Sequence, residues 1–128
     1  MDREALKAYI DETLAGETDH PWARYPDYVV FRHTGNRKWF ALLMCIPREK
    51  LGLPGGGLLD VLNVKCDPLL TGSFREMPGV YPAYHMNKGS WLSVSLEEAG
   101  DETLKLLLNM SYDLTAPRAK RGKGGGAS

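Results

Sequence analysis

Cysteine is scarce in this chain. Cys45 and Cys66 are the only two, each among apolar neighbours, with no C-x-x-C pair and no Cys/His ligand spacing. That excludes a disulfide framework and a zinc module as organising principles. Both are expected as buried free thiols. The three histidines, His20, His33 and His85, are equally far from any ligand spacing, so no metal site and no cofactor is expected. Long apolar runs are missing too. None approaches the ~18 residues that a membrane-spanning helix needs, and residues 1–15 are amphipathic and charged, without the apolar core of a signal peptide. The expected location is the cytoplasm, with no membrane partner. Motifs for covalent catalysis are absent: there is no G-x-S-x-G, and no cysteine is placed with a histidine. The carboxylate pairs Asp11-Glu12, Glu97-Glu98 and Asp101-Glu102 read as a solvated helix face and loop ends. The chain is not expected to be an enzyme.

Net charge is also missing, since 16 basic residues balance 16 acidic ones. The balance conceals an asymmetry. Arg118, Lys120, Arg121 and Lys123 lie in the final stretch, which has no acid. With those four set aside, twelve bases face sixteen acids, so residues 1–117 carry about −4. A globally basic nucleic-acid binder is therefore excluded, and any phosphate contact must come from a local patch or from the tail.

What is present is an ordinary soluble composition, 43% hydrophobic and 25% charged over 128 residues, enough for one self-sufficient domain. Residues 2–15 predict a helix capped by Asp2, with Leu6, Tyr9, Ile10, Thr13 and Leu14 on one stripe and Gly16 as its stop. Thr18 to Asp27, rich in breakers, predicts a loop in which Trp22 and Tyr25 cover an edge of the core. Tyr28–Arg32 and Lys38–Ile46 predict a hairpin around Thr34-Gly35-Asn36-Arg37, its second strand apolar on both alternations and hence central. The glycines at 55–57 lead into a strand at 58–65 and lack G-K-[ST], so they read as a hairpin or wing loop rather than a phosphate cradle. Asp67 and Pro68 predict the start of a short helix, Leu69 to about Glu76. Strands at 80–87 and 91–96 follow, joined at Asn87-Lys88-Gly89-Ser90. Asp101 starts a last helix running to about Met110, with a further turn carrying Tyr112 and Leu114 inward. The order α-β-β-β-α-β-β-α predicts an α+β domain over residues 1–117. It has a mainly antiparallel sheet of about five strands with helices on one face. Residues 118–128 are expected as a disordered basic Gly-rich tail.

The sequence resembles the MmcQ/YjbR family of DNA-binding proteins. The matching pieces are Lys38-Trp39-Phe40-Ala41, Asn63-Val64-Lys65-Cys66-Asp67-Pro68, Pro78-Gly79-Val80-Tyr81-Pro82-Ala83-Tyr84-His85-Met86-Asn87-Lys88, Trp91-Leu92-Ser93-Val94 and Ser111-Tyr112-Asp113-Leu114. They occur in family order over roughly residues 2–116. The resemblance implies a CyaY-like or secretion-chaperone-like fold, hairpins acting as a double wing, and a DNA-binding role. The Gly-rich loop at 52–57 and the basic tail depart from the commoner pattern.

On the residues themselves, Arg32, Lys38, Lys65 and Lys88 are candidates for a local positive patch. Asn87 or His85 would hydrogen-bond to backbone or base edges, and Trp91 or Tyr84 would stack on an unpaired base. The plainer account makes the lysines solvated and Trp91, Tyr81 and Tyr84 core residues. A second functional class stays open: a protein-interaction module using an exposed sheet edge or an aromatic surface. The expected assembly is a monomer or a weak homodimer. The patch account requires Lys38, Lys65 and Lys88 to share one face with Trp91.

Overall fold

The computed structural model describes residues 1–117; the basic segment 118–128, expected as a disordered tail, lies outside the described residues. Helix α1 (Arg3–Thr13) is followed by strands β1 (Glu17–Asp19), β2 (Val29–Arg32), β3 (Trp39–Pro47) and β4 (Leu58–Lys65). Then come the single-turn helix α2 (Thr71–Phe74), β5 (Val80–Pro82), β6 (Trp91–Ser95) and α3 (Asp101–Thr115). The six strands form one antiparallel sheet in the order β1-β2-β3-β4-β6-β5. The α+β class and the antiparallel sheet stand as expected.

The sheet is covered on both faces, and alternation along the central strands explains why. On the inner face, Leu6 and Ile10 of α1 and Leu104, Leu107 and Leu108 of α3 pack against Val29, Phe31, Leu43, Leu62, Val64 and Val94. The outer face carries Val30, Leu42, Met44, Ile46, Leu59 and Val61. Among the described residues no α-helix covers that side; a short 3-10 helix, Arg48–Leu51, lays Leu51 on it. Trp22, Tyr28, Leu51, Leu53, Tyr84 and Met86 from three connecting segments fold over it instead.

Register does not run straight through β3. Phe31 pairs with Ala41, but Arg32 pairs with Trp39, so Phe40 is an extra residue in a β-bulge. Phe40 and Ala41 both enter the inner core, whereas Trp39 and Leu42 both lie on the outer side. The bulge thereby turns Trp39 onto the outer face. Ser111 of α3 secures the distortion: its buried hydroxyl donates to the Phe40 carbonyl at 2.6 Å and accepts the Lys65 N–H at 2.8 Å.

Several local expectations are corrected. The sheet has six strands, because Glu17–Asp19 pairs with β2 where a loop was predicted. The strand predicted over 80–87 ends at Pro82, and the chain from Ala83 to Ser90 is an irregular turn. The helix predicted from Leu69 begins at Thr71. Asp67 instead closes a preceding turn, its Oδ1 accepting from Leu69 N–H at 2.9 Å. Helix α3 runs unbroken through Tyr112 to Thr115, with Gly100 rather than Asp101 at its cap position; Leu114 is exposed. Asp2 does cap α1, but Gly16 is not that helix's stop. It lies where a Cβ would sit 2.9 Å from the Arg32 carbonyl oxygen and 3.0 Å from Phe40. In the β2–β3 turn the left-handed residue is Arg37, φ 64°, rather than Gly35 or Asn36.

Candidate nucleic-acid interface

Lys65 and Trp91 are direct partners across β4 and β6, so their side chains share the outer face. The Lys65 Nζ lies 5.5 Å from the Trp91 ring centroid, within cation–π range. The β2–β3 turn delivers Lys38 beside them. Lys38, Trp39, Lys65 and Trp91, with Leu114 and Thr115 at the end of α3, line one depression of about 310 Å3.

A second depression, of about 300 Å3, adjoins it on the same face. Trp22, Tyr25, Tyr28 and Trp39 supply its rings, Leu42 and Met44 its buried floor, and His85 and Met86 the remainder. Trp22 is set edge-on to both Trp39 (5.8 Å, 85°) and Tyr28 (5.9 Å, 80°), and Tyr25 stacks on Tyr28 at 4.8 Å. Burial, and then the neighbouring phenols of Tyr84 and Tyr25, push the Tyr28 phenol above its ordinary value of 10.0. It stays neutral and able to donate a hydrogen bond. Trp39 lines both depressions. Among the described residues, none that lines either one is acidic. A domain with a net negative charge thus carries two lysines and a histidine along an aromatic strip. The larger groove between α1 and β1, about 510 Å3, is different, since Glu4, Asp11 and Glu17 share it with Lys7.

The turn at 83–90 is held by a buried polar network. Asn63 Nδ2 donates to the Tyr84 carbonyl at 2.8 Å, Ser93 Oγ donates to Asn63 Oδ1 at 2.6 Å, and the Tyr84 N–H donates to Ser93 Oγ at 2.9 Å. Asn63 and Ser93 are fully buried, where each unmade bond would be costly. His85 follows with φ 66°, a left-handed conformation unfavourable for a residue with a Cβ, and its ring lies 3.9 Å from that of Tyr84.

The candidate residues therefore separate. Lys38, Lys65 and Trp91 converge, and His85 stands at the rim of the adjoining depression. Lys88 does not join them: its Nζ donates to the Ala83 carbonyl at 2.8 Å, and its own carbonyl accepts from Arg75. Asn87 helps to shape the turn, its Oδ1 accepting from Gly89 N–H at 2.7 Å, and it lines neither depression. Arg32 lies across from Trp39 but its guanidinium is paired with Asp19 at 2.6 Å. Lys38, Lys65 and Trp91 line one depression, and Lys88 is not among its lining residues. Trp39, Trp22, Tyr25 and Tyr28 were missing from the nucleic-acid candidates. The clustering of Trp22, Tyr25 and Tyr28 in one short loop was the available signal.

Three other reactive groups are shifted away from ionisation. Burial and the hydrogen bond to Glu98 push the Tyr81 phenol up to about 12. Burial likewise raises the Cys45 and Cys66 thiols, the opposite of what a nucleophilic thiolate needs; both are free. Among the described residues, no group of three His, Cys, Asp or Glu could hold a metal ion, and no helix is long and apolar enough to cross a membrane.

A six-stranded antiparallel sheet, covered by α-helices on one side and by connecting segments on the other, defines an α+β domain with a lysine–aromatic outer face. The chain belongs to the YjbR family, whose model matches residues 14–114. It is 39% identical over 116 residues to the uncharacterized protein YyaQ of Bacillus subtilis, covering 90% of this chain and 98% of that one. To YbdF of Escherichia coli O157:H7 it is 30% identical over 95 residues, covering 73% and 68%. A crystal structure of a Pseudomonas syringae protein matches with a TM-score of 0.88 at 45% identity, over 91% of this chain and all of that one. Deinococcus radiodurans protein DR2400, at 24% identity, shares the fold with a TM-score of 0.64 over 93% and 79% of the two chains.

Proposed function

We propose that the protein binds nucleic acid through the outer face of its sheet, in single-stranded form, and does so without catalysis. DNA is the polymer that the family resemblance implies. One observation carries this reading: Trp39 is the shared wall of two depressions, which joins Lys38, Lys65 and Trp91 to the rings of Trp22, Tyr25 and Tyr28, and among the described residues none that lines either depression is acidic. Ammonium groups beside ring faces are what a flexible strand with unpaired bases requires. Two lysines are few for a duplex, whose bases present only edges. The competing reading, a protein-interaction module that accepts a strand at its sheet edge, has less support. The two edges are β1 and β5, three residues each, and β5 ends in Pro82; such edges are poor templates for pairing.

The test is a titration of a single-stranded oligonucleotide and its duplex at two salt concentrations, with wild type and the Lys38→Ala/Lys65→Ala double variant. Tighter single-strand binding that weakens with salt and with the double variant supports the reading. Equal binding by the double variant, or binding lost only on removing residues 118–128, overturns it.

A further inference from the structure

We infer that the depression beneath His85 seats one unpaired nucleobase of the strand whose phosphates meet Lys38 and Lys65. This rests on the nucleic-acid reading and adds a specific subsite to it. The volume, about 300 Å3, is at the lower end of the roughly 300–1,000 Å3 typical of small-ligand sites, suited to a planar ring system and not to a folded segment. Its walls are aromatic and mutually braced, Trp22 standing edge-on to two neighbouring rings. Its floor, Leu42 and Met44, is buried and apolar, whereas His85 and Tyr25 are exposed. A base entering ring-first therefore meets ring faces and apolar atoms inside and keeps its hydrogen-bonding edge at the rim, beside an imidazole and a phenol. His85 holds that rim position in a left-handed conformation, enforced through the Asn63–Ser93–Tyr84 network. That fixed backbone keeps the imidazole at the mouth of the cavity. Continuity through Trp39 gives the connected nucleotides a path to Lys38 and Lys65.

Abasic substitutions walked along a single-stranded oligonucleotide test this. One position is expected to weaken binding by roughly five- to a hundredfold, the worth of one stacked base. That position dependence is expected to vanish in Tyr25→Ala and in His85→Asn, since asparagine tolerates the left-handed backbone. Equal loss at every position, or an unchanged profile in both variants, overturns the base seat while leaving the nucleic-acid reading intact, provided binding still requires Lys65. Should oligonucleotide binding not require Lys38 and Lys65, the broader reading falls. The seat is then judged alone by adenosine monophosphate titration: shifts of the Met86 methyl and His85 ring signals support it, and their absence overturns it.

Discussion

The Lys65 ammonium lies 5.5 Å from the centre of the Trp91 ring, and the two residues face each other across β4 and β6. Each restrains the other, so charge and stacking surface are presented together. In Trp91→Ala, single-strand affinity is expected to fall by roughly 1–3 kcal/mol, the worth of a base–aromatic stack. Lys65→Ala should instead flatten the salt dependence, reducing the log–log slope by about 0.7 for one lost phosphate contact. Titrations over a salt series separate the two effects.

Asn63 ties the sheet to the turn that carries His85. Replacing it with alanine leaves the Tyr84 carbonyl and the Ser93 hydroxyl without their partner, at an expected cost of about 1–3 kcal/mol in a urea unfolding series. Amide exchange in residues 83–90 is expected to rise while that of α3 stays slow.

His33 gives the fold a pH dependence. Its ring is buried between Phe40 and Tyr112, with Nε2 within 3.1 Å of the Tyr112 carbonyl and 2.9 Å of Thr115 Oγ1. Burial lowers its pKa from the ordinary 6.5, only partly offset by the Tyr112 bond. The unfolded chain therefore takes up the proton more readily than the folded one. The site's stability is complete above pH 6.5 and declines below it, by at most about 1.4 kcal/mol per pH unit, levelling off beneath the folded pKa. Unfolding midpoints from pH 7.5 to 5 should show this decline, and His33→Phe should remove it.

Gly79 immediately precedes β5 with φ 82°, and a Cβ there would sit 2.7 Å from the Ala99 backbone nitrogen. Gly79→Ala combines a left-handed backbone penalty with overpacking, and should cost at least about 2 kcal/mol, read as a lowered thermal midpoint.

Much of this fold is legible in the sequence, because α1 and α3 bury one stripe each and β2, β3 and β4 are short apolar runs buried on both faces. Strand β1 is not, since Glu17, Thr18 and Asp19 are polar and largely exposed; only pairing with β2 makes them a strand. The overrun beyond Pro82 arose because Ala83, Tyr84 and Met86 continue a buried, strand-like pattern while serving an irregular turn. The lysine–tryptophan pair followed from strand alternation once β4 and β6 were neighbours. The rest of the site did not. Simple alternation puts Trp39 with Ala41 and Leu43, and only the bulge at Phe40 sends it outward. Nor could spacing reveal that Lys88 and Asn87 would hydrogen-bond within their own turn.

The central claim is that the outer face of the sheet is the nucleic-acid surface. Amide and side-chain NMR shifts during titration with a single-stranded DNA oligonucleotide test it most directly. The expected result is a set of shifts confined to Lys38, Trp39, Lys65, His85, Met86 and Trp91 together with the indole signals of Trp22. Shifts confined to α1 and α3, or to residues 118–128, would contradict it.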